Sequence, residues 1–203
     1  MTIKLIESNN KILTEIKKSL AKEVNKEIAP KINLLKNKLI PVFRSALEES
    51  PEIISLRAGV LRAEFGLETD PSFDIVEAVL ATLDLTWKNV DAKTFKGGIN
   101  IVMQPSNFSN LLLLPVGNQP IEGGSLPWLE WLLTRGDSII ITGYGVQLGS
   151  FPESRTGLAK MSKKFAPYKV NSSFSGTIED NFITRAINRS FSKVQGIIQG
   201  VLK

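Results

Sequence analysis

The chain has 203 residues, with 25 Lys and Arg against 20 Asp and Glu, so its formal net charge is +5. It contains no His and no Cys, which excludes Ser-His and Cys-His catalytic machinery, thiolate nucleophiles, zinc sites built from imidazole or thiolate, and disulfides. An apolar content of 42% over this length suffices for one globular domain, with or without a helical extension.

The sequence also limits localisation and chemistry. Its N-terminus lacks the apolar stretch of a signal peptide, and no run approaches the roughly 18 apolar residues of a membrane span. We therefore expect synthesis in the cytoplasm and no membrane association. We also expect no enzymatic activity and no cofactor, since only an all-oxygen cation site or carboxylate and lysine chemistry stays possible.

Charge is distributed unevenly along the chain. Residues 1–50 carry a net +4, residues 51–95 a net −4, residues 96–150 a net −1 and residues 151–203 a net +6. A basic–acidic–basic order suits a subunit that docks on copies of itself or on charged neighbours, because complementary patches orient association. Solvated helix faces that happen to differ in charge account for the same pattern.

Residues 1–50 are predicted to form a helical extension of an α+β core that spans residues 51–203. Apolar residues at three- and four-residue steps predict a helix over residues 3–29. Its apolar positions form one narrow seam: Leu13, Ile16, Leu20, Val24 and Ile28. A seam this thin is typical of a helix that a partner completes, rather than of an independent core helix.

Prolines and capping residues divide the next helices. Pro30 interrupts the first pattern, and a second helix is expected to kink or break just before Pro41. Ser50–Pro51 is typical of a helix start, and Gly66 of the end of that helix. Asp70–Pro71 repeats the start signal for a further helix.

Strands are predicted where apolar residues occupy every second position, at 83–87 and 99–103. Further short strands are predicted at 139–141 and 158–161. The glycine-rich segment Gly143–Gly149 between them is predicted to be a turn-rich connection, since no βαβ unit surrounds it to make a dinucleotide site.

Two helices complete the predicted fold. Ser125, after the break at Gly123–Gly124, is expected to cap a short helix that Arg135 and Gly136 close. The last helix is predicted to run from about Thr177 to the C-terminus. Long N- and C-terminal helices packed around a small antiparallel β-sheet place the chain in the α+β class.

A basic stretch, residues 155–169, combines cations with Phe165 and Tyr168. The cations are Arg155, Lys160, Lys163, Lys164 and Lys169. Because basic residues bind phosphates and aromatic rings stack on bases, the stretch indicates a nucleic-acid binding module. A solvated loop, or a loop that contacts an acidic protein surface, fits the same residues.

Two smaller groups of residues have both a functional and a structural interpretation. Trp128 and Trp131, three apart on one short helix, are predicted to anchor a partner or to belong to the core. Asp70, Asp74 and Glu77 are spaced to share a proton or bind a divalent cation in a carboxylate-based hydrolase. Acidic residues at a helix N-terminus also favour the helix dipole without any further role.

Several segments follow one another in a recognisable order. After the long N-terminal helix come SLRAGVLRAEFGL (55–67), GGINIVMQPSNFSNLLLLP (97–115), SLPWLEWLLTRGDSIIITGY (125–144), SRTGLAKM (154–161) and SGTIEDNFITRAI (175–187). In this order, and above all in the pairing of a WLL-R-G-D helix end with a downstream S-R-T-G turn, the chain resembles the neck and tail-completion (head–tail connector) proteins of tailed bacteriophages. The resemblance implies an α+β subunit that assembles into a ring without catalysis. It also implies an ordered turn at 154–157, in which Arg155 meets a carboxylate.

We therefore expect a virion structural protein of the head–tail junction, made in the host cytoplasm. It would form a homo-oligomeric ring of about six or twelve copies between portal or adaptor proteins and tail proteins. DNA would pass through the lumen without sequence-specific binding. The candidate interaction residues are Leu20 and Val24 in the seam, Trp128, and the five cations of residues 155–169. Two alternatives stay open: a tail terminator ring protein, and a nucleic-acid binding module that uses residues 155–169.

Overall fold

The computed structural model describes residues 8–121, 124–163 and 165–202. Its α-helices are α1 (Asn9–Ile28), α2 (Ile32–Glu48), α3 (Pro51–Ala58), α4 (Val60–Glu64), α5 (Ser72–Leu80), α6 (Ser109–Leu112), α7 (Trp128–Thr134) and α8 (Phe182–Leu202). Its strands are β1 (Asp84–Lys88), β2 (Gly98–Val102), β3 (Gln119–Ile121), β4 (Gly124–Leu126), β5 (Ile139–Ile141), β6 (Gly145–Leu148), β7 (Ala159–Ser162) and β8 (Tyr168–Lys169). Long terminal helices around small antiparallel strand pairs confirm the α+β class.

The first helix, α1, begins at a side-chain cap. Ser8 has an extended backbone, and its Oγ accepts a hydrogen bond from the Lys11 N–H at 3.4 Å. Residues 3–7, which the sequence pattern includes in this helix, lie outside the described residues. Pro30 lies in a single 3-10 turn (Ala29–Lys31) between α1 and α2, so the predicted interruption is confirmed and is short.

The sequence predicts a kink or a break just before Pro41, but Pro41 lies inside the continuous helix α2, so the break is wrong and the kink stays a prediction. An internal proline removes one hydrogen bond of the helix. The side chains of Leu39 and Phe43 on either side of it are buried in the core. Because tertiary packing supplies most of the stability of a protein helix, this burial holds α2 together across the proline.

The helix predicted to end at Gly66 is two short helices, α3 and α4, with a break at Gly59. Gly59 has an extended backbone, and a side chain there would place its Cβ 2.8 Å from the Ser55 Cα. The Ser55 Oγ accepts a hydrogen bond from the Leu61 N–H at 3.0 Å, which supports the start of α4. Gly66 has a φ of +67°, which confirms it as the residue that ends the segment.

The strands form four antiparallel pairs: β1 with β2, β3 with β4, β5 with β8, and β6 with β7. In the first pair Leu85 lies opposite Ile101 and Trp87 opposite Ile99, which confirms the two predicted alternating strands. The predicted strands at 139–141 and 158–161 are confirmed as β5 and β7.

Two local predictions near glycines are wrong. Gly145–Leu148 is strand β6 rather than part of a turn-rich connection. Its glycine allows a close backbone approach, since a Cβ there would collide with the Ala166 carbonyl oxygen. Ser125 does not cap α7, because it is in β4, paired with Pro120 of β3, and Pro127 occupies the N-cap position. Gly123, part of the predicted break before it, lies outside the described residues.

The hydrophobic core takes in α2 as well as the later elements. Leu35 and Leu39 of α2, and Ile183 and Ala186 of α8, are fully buried where the two helices pack together. The boundary expected at residue 50 therefore falls inside this core. Only α1 keeps the character of an extension, since Ala21 is its one buried residue.

The C-terminal helix, α8, begins at Phe182 rather than at Thr177. Asn181 fixes the start, because its Oδ1 accepts hydrogen bonds from the N–H groups of Ile183 at 3.1 Å and Thr184 at 3.2 Å. The Thr184 Oγ1 in turn accepts the Asn181 N–H at 2.9 Å, so the cap is reciprocal.

Candidate interaction surface and an apolar pocket

The apolar seam of α1 is exposed along its N-terminal half. The exposed fractions of Leu13, Ile16 and Leu20 are 51%, 49% and 51%, and Val24 is half-buried. These positions follow one another at helical spacing, so they form one continuous apolar stripe. The two seam residues predicted to make contacts, Leu20 and Val24, therefore lie on one surface.

The C-terminal half of α1 is fixed to the core by Asn25. Its Oδ1 accepts the Trp87 indole N–H at 3.2 Å and the Val90 N–H at 2.7 Å. Its Nδ2 donates to the Val90 carbonyl at 3.2 Å. One amide thus satisfies three polar groups of β1 and the loop after it, and holds the base of the helix that presents the seam.

The S-R-T-G segment is an ordered turn whose arginine contacts neighbouring elements. Gly157 has a φ of +73°, and its N–H donates to the Ser154 carbonyl at 3.1 Å. The Arg155 Nη2 donates to the Pro120 carbonyl at 3.0 Å, and its Nε lies 3.8 Å from the Glu68 Oε1. Arg155 thus lies beside a carboxylate of its own chain.

The other cations of the basic stretch also contact partners within the chain. The Lys160 Nζ lies 4.2 Å from the Phe151 ring centroid, and the Lys163 Nζ lies 5.5 Å from that of Tyr144. The Lys169 Nζ lies 3.7 Å from the Asp137 Oδ2. Lys164 lies outside the described residues. Binding of nucleic acid by this stretch stays a prediction, and the observed contacts give it no added support.

Of the two tryptophans of α7, Trp128 belongs to the core. Its side chain is fully buried, its Nε1–H donates to the Val116 carbonyl at 2.9 Å, and its ring lies 5.3 Å from that of Phe65. Because Trp128 is buried, it does not anchor a partner, and it has the core role that the sequence predicts as the alternative. Trp131 is half-buried, with the Arg135 guanidinium 5.7 Å from its ring centroid.

The three acidic residues around the start of α5 have separate roles. The Asp70 Oδ1 accepts the N–H of Ser72, the first residue of α5, at 2.8 Å, and its Oδ2 lies 3.6 Å from the Arg57 Nε. Glu77 pairs with Arg44, and this hydrogen bond holds the pKa of the Glu77 carboxyl below its ordinary value. Asp74 lies in the first turn of α5, where an acidic residue favours the helix dipole. The geometry therefore supports the structural interpretation of this trio.

A cavity of about 340 Å³ lies beneath the S-R-T-G turn, between α4 and the surrounding strands. Its wall is mostly apolar and includes Phe65, Ile121, Leu126, Ile141, Val146 and Met161. The sequence alone does not predict this pocket, because its residues come from separate elements that only the tertiary fold brings together.

Among the residues that line this pocket, three polar atoms are buried and have no hydrogen-bond partner among the described residues. They are the Glu64 Oε2, the Ser154 Oγ and the Tyr168 Oη. Burial raises the pKa of Glu64 to about 7. Burial also raises the pKa of Tyr168, with a smaller contribution from the Glu64 carboxylate. The sequence has one signal for Glu64, which is a single acidic residue between the apolar residues Ala63 and Phe65.

Comparison with protein families, with curated proteins and with solved structures returned no match to this chain. In the part of the chain that the structure describes, no helix combines the length and apolar character needed to cross a bilayer. The same residues contain no cluster of three or more acidic side chains arranged to hold a metal ion.

Proposed function

We propose that this protein is a structural subunit of the neck of a tailed bacteriophage, where it assembles into a ring at the head–tail junction. The observation that carries the proposal is the exposed seam of Leu13, Ile16 and Leu20 on α1. Together with the motif order that resembles neck and tail-completion proteins, the seam indicates a helix completed by a neighbouring copy. Such subunits act by assembly, so their function lies in their interfaces.

The position of the seam supports self-assembly. A helix of 20 residues is about 30 Å long, so α1 reaches well beyond the core that its base contacts. Asn25 holds that base and so fixes the direction in which the seam points. Fixed apolar stripes bind with less loss of conformational entropy than mobile ones, which favours a defined interface.

Charge along the chain is compatible with ring contacts. Segment 151–203 has a net charge of +6 and segment 51–95 a net charge of −4. Arg155 and Arg185 of the first segment pair with Glu68 and Glu52 of the second within the chain. The charge left on the two segments favours contacts between neighbouring copies. The net positive charge also suits a ring whose lumen passes DNA through contacts with phosphates rather than with bases.

A paired set of variants tests the seam. We expect Leu20→Glu with Val24→Glu to block assembly while the subunit stays folded, because the carboxylates would be buried in the interface. The matched control is Lys18→Gln with Lys22→Gln, which changes the net charge by the same amount. These lysines lie on the opposite side of α1, since a helix has about 3.6 residues per turn.

Native mass spectrometry and far-UV circular dichroism measure the two outcomes. We predict closed rings for the unchanged protein and the lysine pair, and folded monomers for the glutamate pair. Monomers of the unchanged protein at every concentration, or rings that survive in the glutamate pair, would contradict the proposal.

A further inference from the structure

Phe73, in the first turn of α5, is an aromatic side chain that is open to solvent beside a negative charge. Its exposed fraction is 68%, and the next residue, Asp74, is also exposed. Of the three carboxylates around α5, Asp70 and Glu77 lie beside arginines, and Asp74 has no ion pair among the described residues. An apolar groove begins beside Asp74 and is lined by Ala78, Ala81, Leu114, Pro115 and Val116. Phe73 thus lies next to a surface that is both apolar and acidic.

The charge beside Phe73 distinguishes it from the other exposed aromatic side chains. Among the described residues, five aromatic side chains are 40% exposed or more: Phe73, Phe95, Tyr144, Phe165 and Phe191. Basic residues lie within two positions of Phe95, Phe165 and Phe191. Tyr144 has no charged residue that close, and only Phe73 has an acidic one. Because single exposed apolar residues are ordinary, this charge indicates which kind of surface Phe73 would meet.

The pocket beneath the S-R-T-G turn has the complementary properties, an apolar wall and two exposed cations. Both Arg155 and Lys160 line it. The Lys160 Nζ lies over the ring of Phe151, which is neutral and leaves the charge of the lysine in place. The Arg155 Nε lies 3.8 Å from the carboxylate of Glu68, whose side chain is 67% exposed. The pocket therefore favours an apolar group that is accompanied by a negative charge.

The size and wall of the pocket suit one aromatic ring. At about 340 Å³ it is large enough for a phenyl group. The unpaired oxygens of Glu64, Ser154 and Tyr168 have almost no accessible surface, so an occupant meets the apolar wall and the two cations instead. A phenylalanine followed by an aspartate matches both features.

We propose that Phe73 of one copy of this chain inserts into the pocket beneath the S-R-T-G turn of a second copy, where Asp74 pairs with Lys160 and Arg155. The apolar wall covers the phenyl ring, and the charges orient the contact. Phe73 and the pocket are different surfaces of one chain. Copies can therefore join head to tail into a ring, or two copies can exchange their Phe73 side chains as a pair. The inference does not rest on the proposed neck function, since the contact forms in either assembly.

Zero-length crosslinking of the unchanged protein tests the contact directly. A carbodiimide joins a carboxylate to an amine where the two groups touch, so we expect an amide bond between Asp74 and Lys160. Equal amounts of ¹⁵N-labelled and unlabelled protein are mixed before the reaction. A crosslinked peptide with one labelled and one unlabelled half then identifies a bond between copies. Absence of this mixed peptide, including the case of a protein that stays monomeric at every concentration, would overturn the proposal.

A pair of phenylalanine variants tests the role of the ring. We expect Phe73→Ala to weaken self-association at least about tenfold, because truncation of an aromatic anchor at the centre of an interface has an effect of this size. The matched control is Phe191→Ala, since Phe191 is 69% exposed but lies between Arg189 and Lys193. We expect this control to change the association constant by less than about twofold. Sedimentation velocity measures association, and circular dichroism checks that both variants are folded.

Exchange of the two charges tests the pairing of Asp74 with Lys160. We expect Asp74→Lys and Lys160→Asp each to weaken association at least about fivefold, because like charges then face each other. The double variant is expected to associate within about twofold of the unchanged protein. A double variant as weak as the single ones, or equal effects of Phe73→Ala and Phe191→Ala, would overturn the proposal. Crosslinked products of more than two chains accord with a ring, whereas crosslinked pairs alone support this contact and contradict the ring.

Discussion

Asn25 on α1 and Trp87 on β1, 62 residues apart in the sequence, are joined by a hydrogen bond of 3.2 Å from the indole Nε1 to the amide Oδ1. Because the same amide also bonds both backbone groups of Val90, it ties the extension to the first strand pair. The exposed seam of α1 thus has a defined base, and the proposed ring interface depends on it.

Substitution of Asn25 by Ala is expected to destabilise the subunit. It would leave the Trp87 indole N–H and the Val90 N–H without their partner, at a cost of about 1–3 kcal/mol in the free energy of unfolding. Urea denaturation measures the loss. Asn10→Ala, near the exposed start of α1, is the control and is expected to change stability by less than about 0.5 kcal/mol. Equal losses in the two variants would show that Asn25 does not anchor α1.

Loss of the ion pair between α3 and α8 is expected to destabilise the subunit more than loss of the Asn25 hydrogen bonds. The Arg185 Nη2 lies 2.7 Å from the Oε1 of Glu52, which is 2% exposed. Arg185→Met would leave the buried Glu52 carboxylate without its cation, and we expect a loss of about 3–5 kcal/mol.

Arg189, one turn further along α8, provides a matched control for Arg185. It is exposed, and its Nη2 reaches the Ala46 carbonyl only at 3.4 Å. We expect Arg189→Met to cost less than about 1 kcal/mol. Similar losses of stability for both substitutions in thermal or urea unfolding would contradict a larger contribution from the buried pair.

The raised pKa of Glu64 predicts that stability depends on pH. The folded carboxyl titrates at about 7 rather than at its ordinary 4.5, so between these values the folded state binds more protons than the unfolded state. Stability contributed by this group is therefore full below pH 4.5 and is lost as the pH rises to about 7. Glu64→Gln removes this dependence.

We expect Glu64→Gln to raise the free energy of unfolding by about 1–2 kcal/mol near pH 8, after allowance for solvent screening of a half-buried group. Near pH 4 we expect no gain, since Glu64 is then neutral in both states. Urea denaturation at the two pH values measures the difference. A gain of the same size at both would contradict the assigned ionisation.

The S-R-T-G turn predicts a backbone effect at Gly157. Its φ of +73° is unfavourable for residues with a Cβ, so Gly157→Ala is expected to cost about 1–2 kcal/mol in thermal unfolding experiments. Gly124→Ala is the control, because a Cβ at this strand position would meet no atom within 4 Å. A variant at Gly157 as stable as the control would mean that the turn does not require this conformation.

Much of the fold follows from local sequence patterns. The helices with a strong apolar period and the alternating strands β1 and β2 were predicted, because their burial follows from spacing along the chain. The helix break at Gly59 and the strand that begins at Gly145 do not follow from local patterns, since each glycine allows a close approach that only the tertiary structure requires. The expected break at Pro41 is wrong for a related reason, as packing of α2 outweighs a local preference.

The candidate sites were predictable to different degrees. The seam with Leu20 follows from helical periodicity, so its exposure on one face agrees with the pattern. The contacts of the basic stretch do not follow from periodicity, because Lys169 and Asp137 meet through the pairing of strands that are distant in the sequence. The cavity could not be predicted from the sequence for the same reason, since Glu64 and Tyr168 are brought together by tertiary packing alone.

Quantitative mass spectrometry of density-banded phage particles from the source tests the central proposal most directly. We predict that this chain is present in intact particles at a fixed ratio of about six or twelve copies per virion, as expected for a closed ring. Loss of the chain from particles dissociated at the head–tail junction would distinguish a neck ring from a tail terminator. Absence from purified particles, or a ratio that varies between preparations, would contradict a structural role in the virion.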